Sequence, residues 1–208
     1  MNPRTDLVNI CHLLYEKGFV VATEGNVSIK ITADKILITP TNTNKSHIKE
    51  SDLVTINKNG VKVAGKGMPS AEFTLHTEVY RLRPDVRAII HAHPPNAVAL
   101  SIAGVKLDKD ILPEIIIALG EVPTAKYATA TTYELAKSVS NLVRKHDAII
   151  LERHGTLTIG KNLQEAFEIL ERLEWASEVI LKASLLGRVK RLSAEEVKKL
   201  LAIRERRI

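Results

Sequence analysis

The chain has 208 residues, 45% of them hydrophobic and 4% aromatic, and a formal charge of +6. The length suits one large domain or two very small ones. The single cysteine, Cys11, rules out an intrachain disulfide and a cysteine-rich zinc site, and no apolar run approaches the roughly 18 residues of a membrane span. Basic residues gather only in the short runs Arg188 to Arg191 and Arg204 to Arg207, without interleaved aromatics. Nucleic acid and membrane are therefore not expected partners, whereas a phosphorylated metabolite suits the basic surface. The start, Met1-Asn2-Pro3-Arg4, has no signal-peptide character, and the expectation is a soluble, cytoplasmic protein.

In chain order, Leu7, Ile10, Cys11 and Leu14 recur at helical spacing and predict an amphipathic helix over residues 4–17, closed by Gly18. Val27 to Ile31 alternates like a strand and follows the polar turn Thr23-Glu24-Gly25-Asn26. Ile36 to Thr39 is a second short strand, ended by Pro40-Thr41-Asn42-Thr43-Asn44. Leu53 to Asn57 and Val61 to Ala64 flank Lys58-Asn59-Gly60, a hairpin signal, so the first third reads as a strand meander. Ser70 is the predicted N-cap of a helix running to about Arg83 before Pro84. Glu72 lies in its first turn and His76 four residues on, on the same face, where packing rather than ligation is expected.

Val86 to His91 is an apolar strand, and Pro94 to Ile102 a short helix. Residues 105–130 show little beyond the apolar Ile115 to Leu119 and the break at Gly120. A helix from about Thr132 to Lys145 precedes two strands around a glycine, Ala148 to Gly160. A long helix over residues 162–186 is expected to carry the apolar stripe Ala166, Ile169, Leu170, Leu173, Ala176, Ile180, Ala183 and Leu185. Ser193 with Glu196 forms a capping box for a terminal helix. With no repeat or linker, the order of elements fits one layered α/β domain over residues 1–208.

His91 and His93 stand one residue apart at the end of an apolar strand, so both side chains point the same way. Paired imidazoles there suit a divalent metal, and His154, followed by Gly155, is the candidate third ligand. Three histidines leave a coordination position open, as a Lewis-acid site requires. Glu72 is the acid–base candidate. At a helix start it either only caps the helix, or it serves beside the metal as a fourth ligand and as a base once substrate displaces it. The turns 23–26 and 41–44, with Ser70 and the N–H of Ala71, offer hydroxyls, amides and a helix start to a phosphate. No P-loop or dinucleotide fingerprint is present. His12, His47 and His146 read as surface residues or as neighbours of a site.

Five motifs, Glu24-Gly25-Asn26-Val27-Ser28, Leu37-Ile38-Thr39-Pro40-Thr41, Pro69-Ser70-Ala71-Glu72, His91-Ala92-His93 and Arg153-His154-Gly155, stand in an order that resembles the class II aldolase/adducin-head family. The resemblance runs from the first helix to the long helix after Gly160. It implies a single three-layer α/β domain, a central, mostly antiparallel sheet with helices on both faces. It also implies a homotetramer with active sites between neighbouring subunits. By resemblance, His91, His93 and His154 are zinc ligands, and Glu72 is a further ligand and the acid–base group. Asn26, Thr41, Asn42, Ser70 and Ala71, with Thr23 close by, surround the substrate phosphate.

The implied reaction is the cleavage of a ketose 1-phosphate, L-fuculose 1-phosphate-like, to dihydroxyacetone phosphate and a small aldehyde such as L-lactaldehyde, through a metal-stabilised enediolate. Zinc is the implied cofactor, and another divalent ion is compatible. The alternatives are sister enzymes of the same fold, L-ribulose-5-phosphate 4-epimerase or methylthioribulose-1-phosphate dehydratase; the epimerases typically carry Asp at the position of Glu72. A non-catalytic adducin-head-like module would have lost the metal ligands. This chain departs from the aldolases in having Asn42 for a glycine, Ala71 for a serine and Glu114 for a tyrosine. It also has no tyrosine after Tyr133, where the aldolases carry one in the C-terminal tail. Those tyrosines serve the aldehyde side, which makes Glu114 a candidate there or else a carboxylate behind the site or on the surface.

Overall fold

The structure, a computed structural model, describes residues 2–107 and 110–206; Arg207, in the basic tail, lies outside the described residues. Helix α1 (Pro3–Glu16) begins where the Asn2 side chain accepts from the Arg4 N–H. It ends as Gly18 turns left-handed at φ +70° and the Phe19 N–H bonds the Leu14 carbonyl. Strands β1 (Asn26–Lys30), β2 (Lys35–Ile38), β3 (Val54–Asn57) and β4 (Lys62–Ala64) form the expected meander. Then come α2 (Phe73–Leu82), β5 (Ala88–Ala92), α3 (Pro95–Ile102), α4 (Pro113–Ala118), β6 (Thr124–Ala125) and α5 (Tyr133–Val139). The chain continues through β7 (Ala148–Leu151), β8 (Gly155–Gly160), α6 (Leu163–Leu186) and α7 (Ala194–Glu205). No helix among the described residues is long and apolar enough to cross a membrane.

The strands make one α/β sheet ordered β4-β3-β2-β1-β5-β8-β7-β6, antiparallel except for the β6–β7 pair. Side chains alternate between its two faces. Leu37, Ala88, Ile90 and Ala92 pack with Leu7, Cys11, Leu14, Phe167 and Leu170 of α1 and α6. Ile36, Ile38, Ile89, Ile149 and Leu157 pack with Leu75, Val79, Leu135 and Val139 of α2 and α5. Ala148 and Ile150 join α3, α4 and α6 in a third cluster. Every residue of β5 is buried, and both edges of that strand are paired, with β1 and β8. The histidine-bearing strand is thus held rigidly on all sides.

Three local expectations need correction. The N-cap of α2 is Glu72 rather than Ser70: the helix starts at Phe73, and the Glu72 side chain makes no cap bond. Helix α5 stops at Val139 rather than Lys145. The Ser140 hydroxyl bonds the Ala136 carbonyl at 3.0 Å while its N–H shifts to Lys137, tightening the last turn. Strand β6, two residues long, was too short to leave a periodic signal within 105–130.

Candidate metal centre

The centre is built from three backbone positions that bring histidines together. His91 lies on β5, opposite Asn26 of β1 and Leu157 of β8, and is completely buried. Its Nδ1 stands 2.8 Å from the Thr156 carbonyl, so Nδ1–H donates there and Nε2 faces the site, where its lone pair would meet an ion and where, with no ion bound, an Nε2–H donates to Glu72. His93 follows the strand, its N–H held by the Phe19 carbonyl at 2.9 Å. Its Nδ1 is 3.5 Å from Glu24 Oε2, and its Nε2 is 3.0 Å from His91 Nε2.

His154 comes from the tight turn between β7 and β8. Arg153 takes a left-handed φ of +59° there, and its N–H donates to Ser101 Oγ of α3 at 3.0 Å. A non-glycine residue in that conformation costs on the order of 1 kcal/mol, which surrounding contacts must offset. Gly155 then brings β8 against β5 so closely that a Cβ would overlap the Ala92 carbonyl oxygen and the His93 ring.

The ligand nitrogens of the three histidines lie within 4.8 Å of one another. Glu72 closes the group: Oε2 is 3.2 Å from His91 Nε2, and Oε1 is 3.5 Å from His154 Nε2. Oε2 also accepts from Asn26 Nδ2 at 2.8 Å. Glu72 Oε1 is buried without a hydrogen-bond partner, as is His154 Nδ1. Two imidazole nitrogens 3.0 Å apart, beside a buried and unpartnered carboxylate oxygen, are costly arrangements that one cation relieves. The donor set therefore fits a divalent ion.

Burial and the His91 charge push His93 down to about 3, and the same two causes push His154 down to about 4. Both rings are thus neutral, as ligands must be, at ordinary pH. Burial alone would raise Glu72, but the His91 charge, with hydrogen bonds from His91 and Asn26, outweighs it and holds the carboxyl below its usual range. Burial likewise opposes the charge on His91, yet Glu72 raises it.

These shifts give a pH expectation for the metal-free chain. Folded His76, His93 and His154 take up a proton only near pH 3 to 4, whereas their ordinary value is 6.5. Between those limits the unfolded chain binds more protons, so stability is lost as pH is lowered, and raised His91 offsets only one of the three. The urea midpoint should drop steadily from pH 7 to 4; a flat or rising midpoint would contradict this.

A cavity of about 200 Å³ opens beside the histidines. Thr23, Asn26, Thr41, Asn42, Ser70 and Ala71 all line it, together with Glu72, His93, His154, Ala130 and Thr131. A larger cavity of about 510 Å³, by Ile10, Ile29 and Leu163, contains none of these histidines. Asn42 sits at φ +54°. Asparagine tolerates the left-handed region better than most residues, so the turn survives without glycine.

The structure also places residues that no motif singled out. Lys45 is only 1% exposed, and its Nζ donates to the Thr23 carbonyl at 3.0 Å and the Thr43 carbonyl at 2.8 Å. It ties the two polar turns together and puts a cation behind them. Glu114 does not reach the cavity: it is exposed in the first turn of α4. Arg204, in the basic tail, donates to the Ile117 and Ala118 carbonyls at the end of α4 and so docks α7. His12 faces the Ile48 carbonyl and His146 the Glu121 carbonyl, away from the centre; His47 is exposed.

Fold and donor set together define a protein with an open three-histidine centre beside a buried carboxylate and a polar cavity. The chain belongs to the class II aldolase and adducin N-terminal domain family, which matches residues 5–181. The histidine cluster is of the kind that holds a divalent metal in the class II aldolases of that family. The chain is 34% identical over 179 residues to the L-fuculose phosphate aldolase of Methanococcus vannielii, covering 85% of this chain and 96% of that one. It is 27% identical over 203 residues to the 3-oxo-tetronate 4-phosphate decarboxylase of Pectobacterium atrosepticum, covering 95% and 91%. A solved L-fuculose 1-phosphate aldolase superposes with a TM-score of 0.86 at 32% identity, over 96% of this chain and 94% of that one.

Proposed function

We propose that the chain is a metal-dependent aldolase that splits a ketose 1-phosphate of the L-fuculose 1-phosphate kind into dihydroxyacetone phosphate and a small aldehyde such as L-lactaldehyde. His91, His93 and His154 would hold the divalent ion, zinc by the chemistry of three imidazole donors, with Glu72 as a fourth ligand until substrate enters. Bound there, the ion supplies Lewis-acid polarisation of the carbonyl and adjacent hydroxyl oxygens.

This chain's side chains do the rest. Thr23, Asn26, Thr41, Asn42, Ser70 and the Ala71 N–H bind and orient the phosphate, with Lys45 attracting it from behind. Glu72 removes and returns the proton on the carbon next to the carbonyl, as an ionised carboxylate must to act as base. The working form in this proposal is a cytoplasmic homotetramer, and Glu114 would serve the aldehyde side of a neighbouring subunit's cavity.

The observation that carries the reading is the Glu72 carboxylate, which makes no helix cap and stands within 3.5 Å of two histidine nitrogens with one oxygen unpartnered. The aldolase relatives support the substrate class, and the decarboxylase relative marks the neighbouring reaction to be excluded. Both reactions leave negative charge on the carbon beside a phosphorylated ketone. The test is a panel of sugar phosphates and 3-oxo acid phosphates, assayed for aldehyde and for carbon dioxide. The proposal expects aldehyde with dihydroxyacetone phosphate from ketose 1-phosphates; carbon dioxide without aldehyde would overturn it.

A further inference from the structure

Behind Glu72 and Asn26 lie three buried polar residues, His76, Ser28 and Tyr80, that the reaction as proposed does not use. Glu72, His76 and Tyr80 follow one another at four-residue spacing along the start and face of α2. They lie against Asn26 and Ser28, which alternate onto one face of β1. Asn26 Oδ1 meets His76 Nε2, His76 Nδ1 is 2.6 Å from Ser28 Oγ, and Ser28 Oγ is 2.9 Å from the Tyr80 hydroxyl. His76 and Ser28 are both 0% exposed. The Tyr80 hydroxyl also lies 3.3 Å from the Arg87 carbonyl.

The direction of every bond follows from its first link. An ionised carboxylate only accepts, so the Asn26 atom 2.8 Å from Glu72 Oε2 is the amide nitrogen. Oδ1 must then face His76, and His76 Nε2 must carry a proton to donate. Complete burial pushes His76 down to about 3, so the ring is neutral and its Nδ1 accepts from the Ser28 hydroxyl. Ser28 Oγ, its one proton given to His76, can only accept from Tyr80, whose hydroxyl shares its single proton between Ser28 Oγ and the Arg87 carbonyl. The donors run one way, Tyr80 to Ser28 to His76 to Asn26 to Glu72.

We propose that His76 is a positioning residue: its Nε2–H fixes the Asn26 amide, so that the amide N–H rather than the carbonyl faces the Glu72 carboxylate. This rests on the reading of Glu72 as the group that moves the proton. An amide turned the other way would set a carbonyl oxygen against the carboxylate. The side chain would then rotate off the line to its carbon, where a displacement of about 1 Å costs up to roughly a hundredfold in rate.

The test combines a spectrum with kinetics. Imidazole nitrogen NMR of the metal-free wild type should find His76 neutral, protonated at Nε2 and bare at Nδ1, from pH 5 to 9. The opposite tautomer or a charged ring would overturn the proposal, and this readout stands even if the wild type acts on no sugar phosphate, a failure that would sink only the functional reading. His76→Leu should lower kcat for proton exchange on dihydroxyacetone phosphate about 10- to 100-fold, with KM within about threefold and full metal content. His76→Gln, which can donate to Asn26 and accept from Ser28, should restore most of that rate. A Leu variant as fast as wild type, or a Gln variant as slow as Leu, would overturn it. Should the Leu variant fail to fold, Ser28→Ala carries the test: kcat should fall several-fold with KM held, and an unchanged kcat counts against the chain.

Discussion

Replacing Glu72 with Gln is expected to slow proton exchange on dihydroxyacetone phosphate by about a thousandfold, within the range a positioned general base contributes. The size and shape of the side chain are kept, so α2 should start where it does and the fold should hold. What is lost is the base itself, because an amide oxygen does not take a proton at neutral pH. The three histidines remain, and metal content should stay at one ion per chain. Exchange within tenfold of wild type would reduce Glu72 to a bystander; a loss of metal along with exchange would make it chiefly a ligand.

Gly155→Ala is the second large effect. The added methyl has no room, since the Ala92 carbonyl and the His93 ring already occupy its place. Either β8 moves off β5, straining a pair that runs from Ala88 opposite Gly160 to Ala92 opposite Thr156, or His93 swings out of the histidine cluster. Overpacking of this kind costs about 1 to 3 kcal/mol. It should lower the urea midpoint and weaken metal affinity at least tenfold, which calorimetric titration of the stripped protein would read. A variant with wild-type midpoint and affinity would show that the close approach of β8 does not set the centre.

Much of this centre could be read from residue order, for particular reasons. Period-two alternation, carried one residue past β5, puts His91 and His93 on one side, as their Nε2 atoms 3.0 Å apart show. His154, before Gly155, is singled out as the third ligand, and the polar turns 23–26 and 41–44 as donors to a phosphate. Other features depend on contacts that no spacing encodes. With Ser70 as the expected N-cap, Glu72 falls inside the first turn; as the observed N-cap it instead turns its side chain toward the histidines, and residue spacing does not encode that two-residue shift. His76 looked like a packed residue since its partners, Asn26 and Ser28, lie 50 and 48 positions away. Lys45 follows the 41–44 turn and belongs to no motif; only the two carbonyls around its Nζ reveal a clamp. Glu114, matched to a tyrosine position, is exposed on α4 and does not line the cavity, in keeping with the surface reading, because a matched position does not encode how far its helix stands from the site.

The most direct test of the central claim, that three histidines hold the ion beside which Glu72 works, is a metal titration followed by two signals at once. Protein stripped with a chelator would be titrated with zinc while heat of binding and proton exchange on dihydroxyacetone phosphate are both recorded. The account predicts that both saturate together at one ion per chain, and that His93→Ala abolishes the two in parallel. Exchange that proceeds unchanged in the stripped protein, or that is restored without an ion at these histidines, would contradict it.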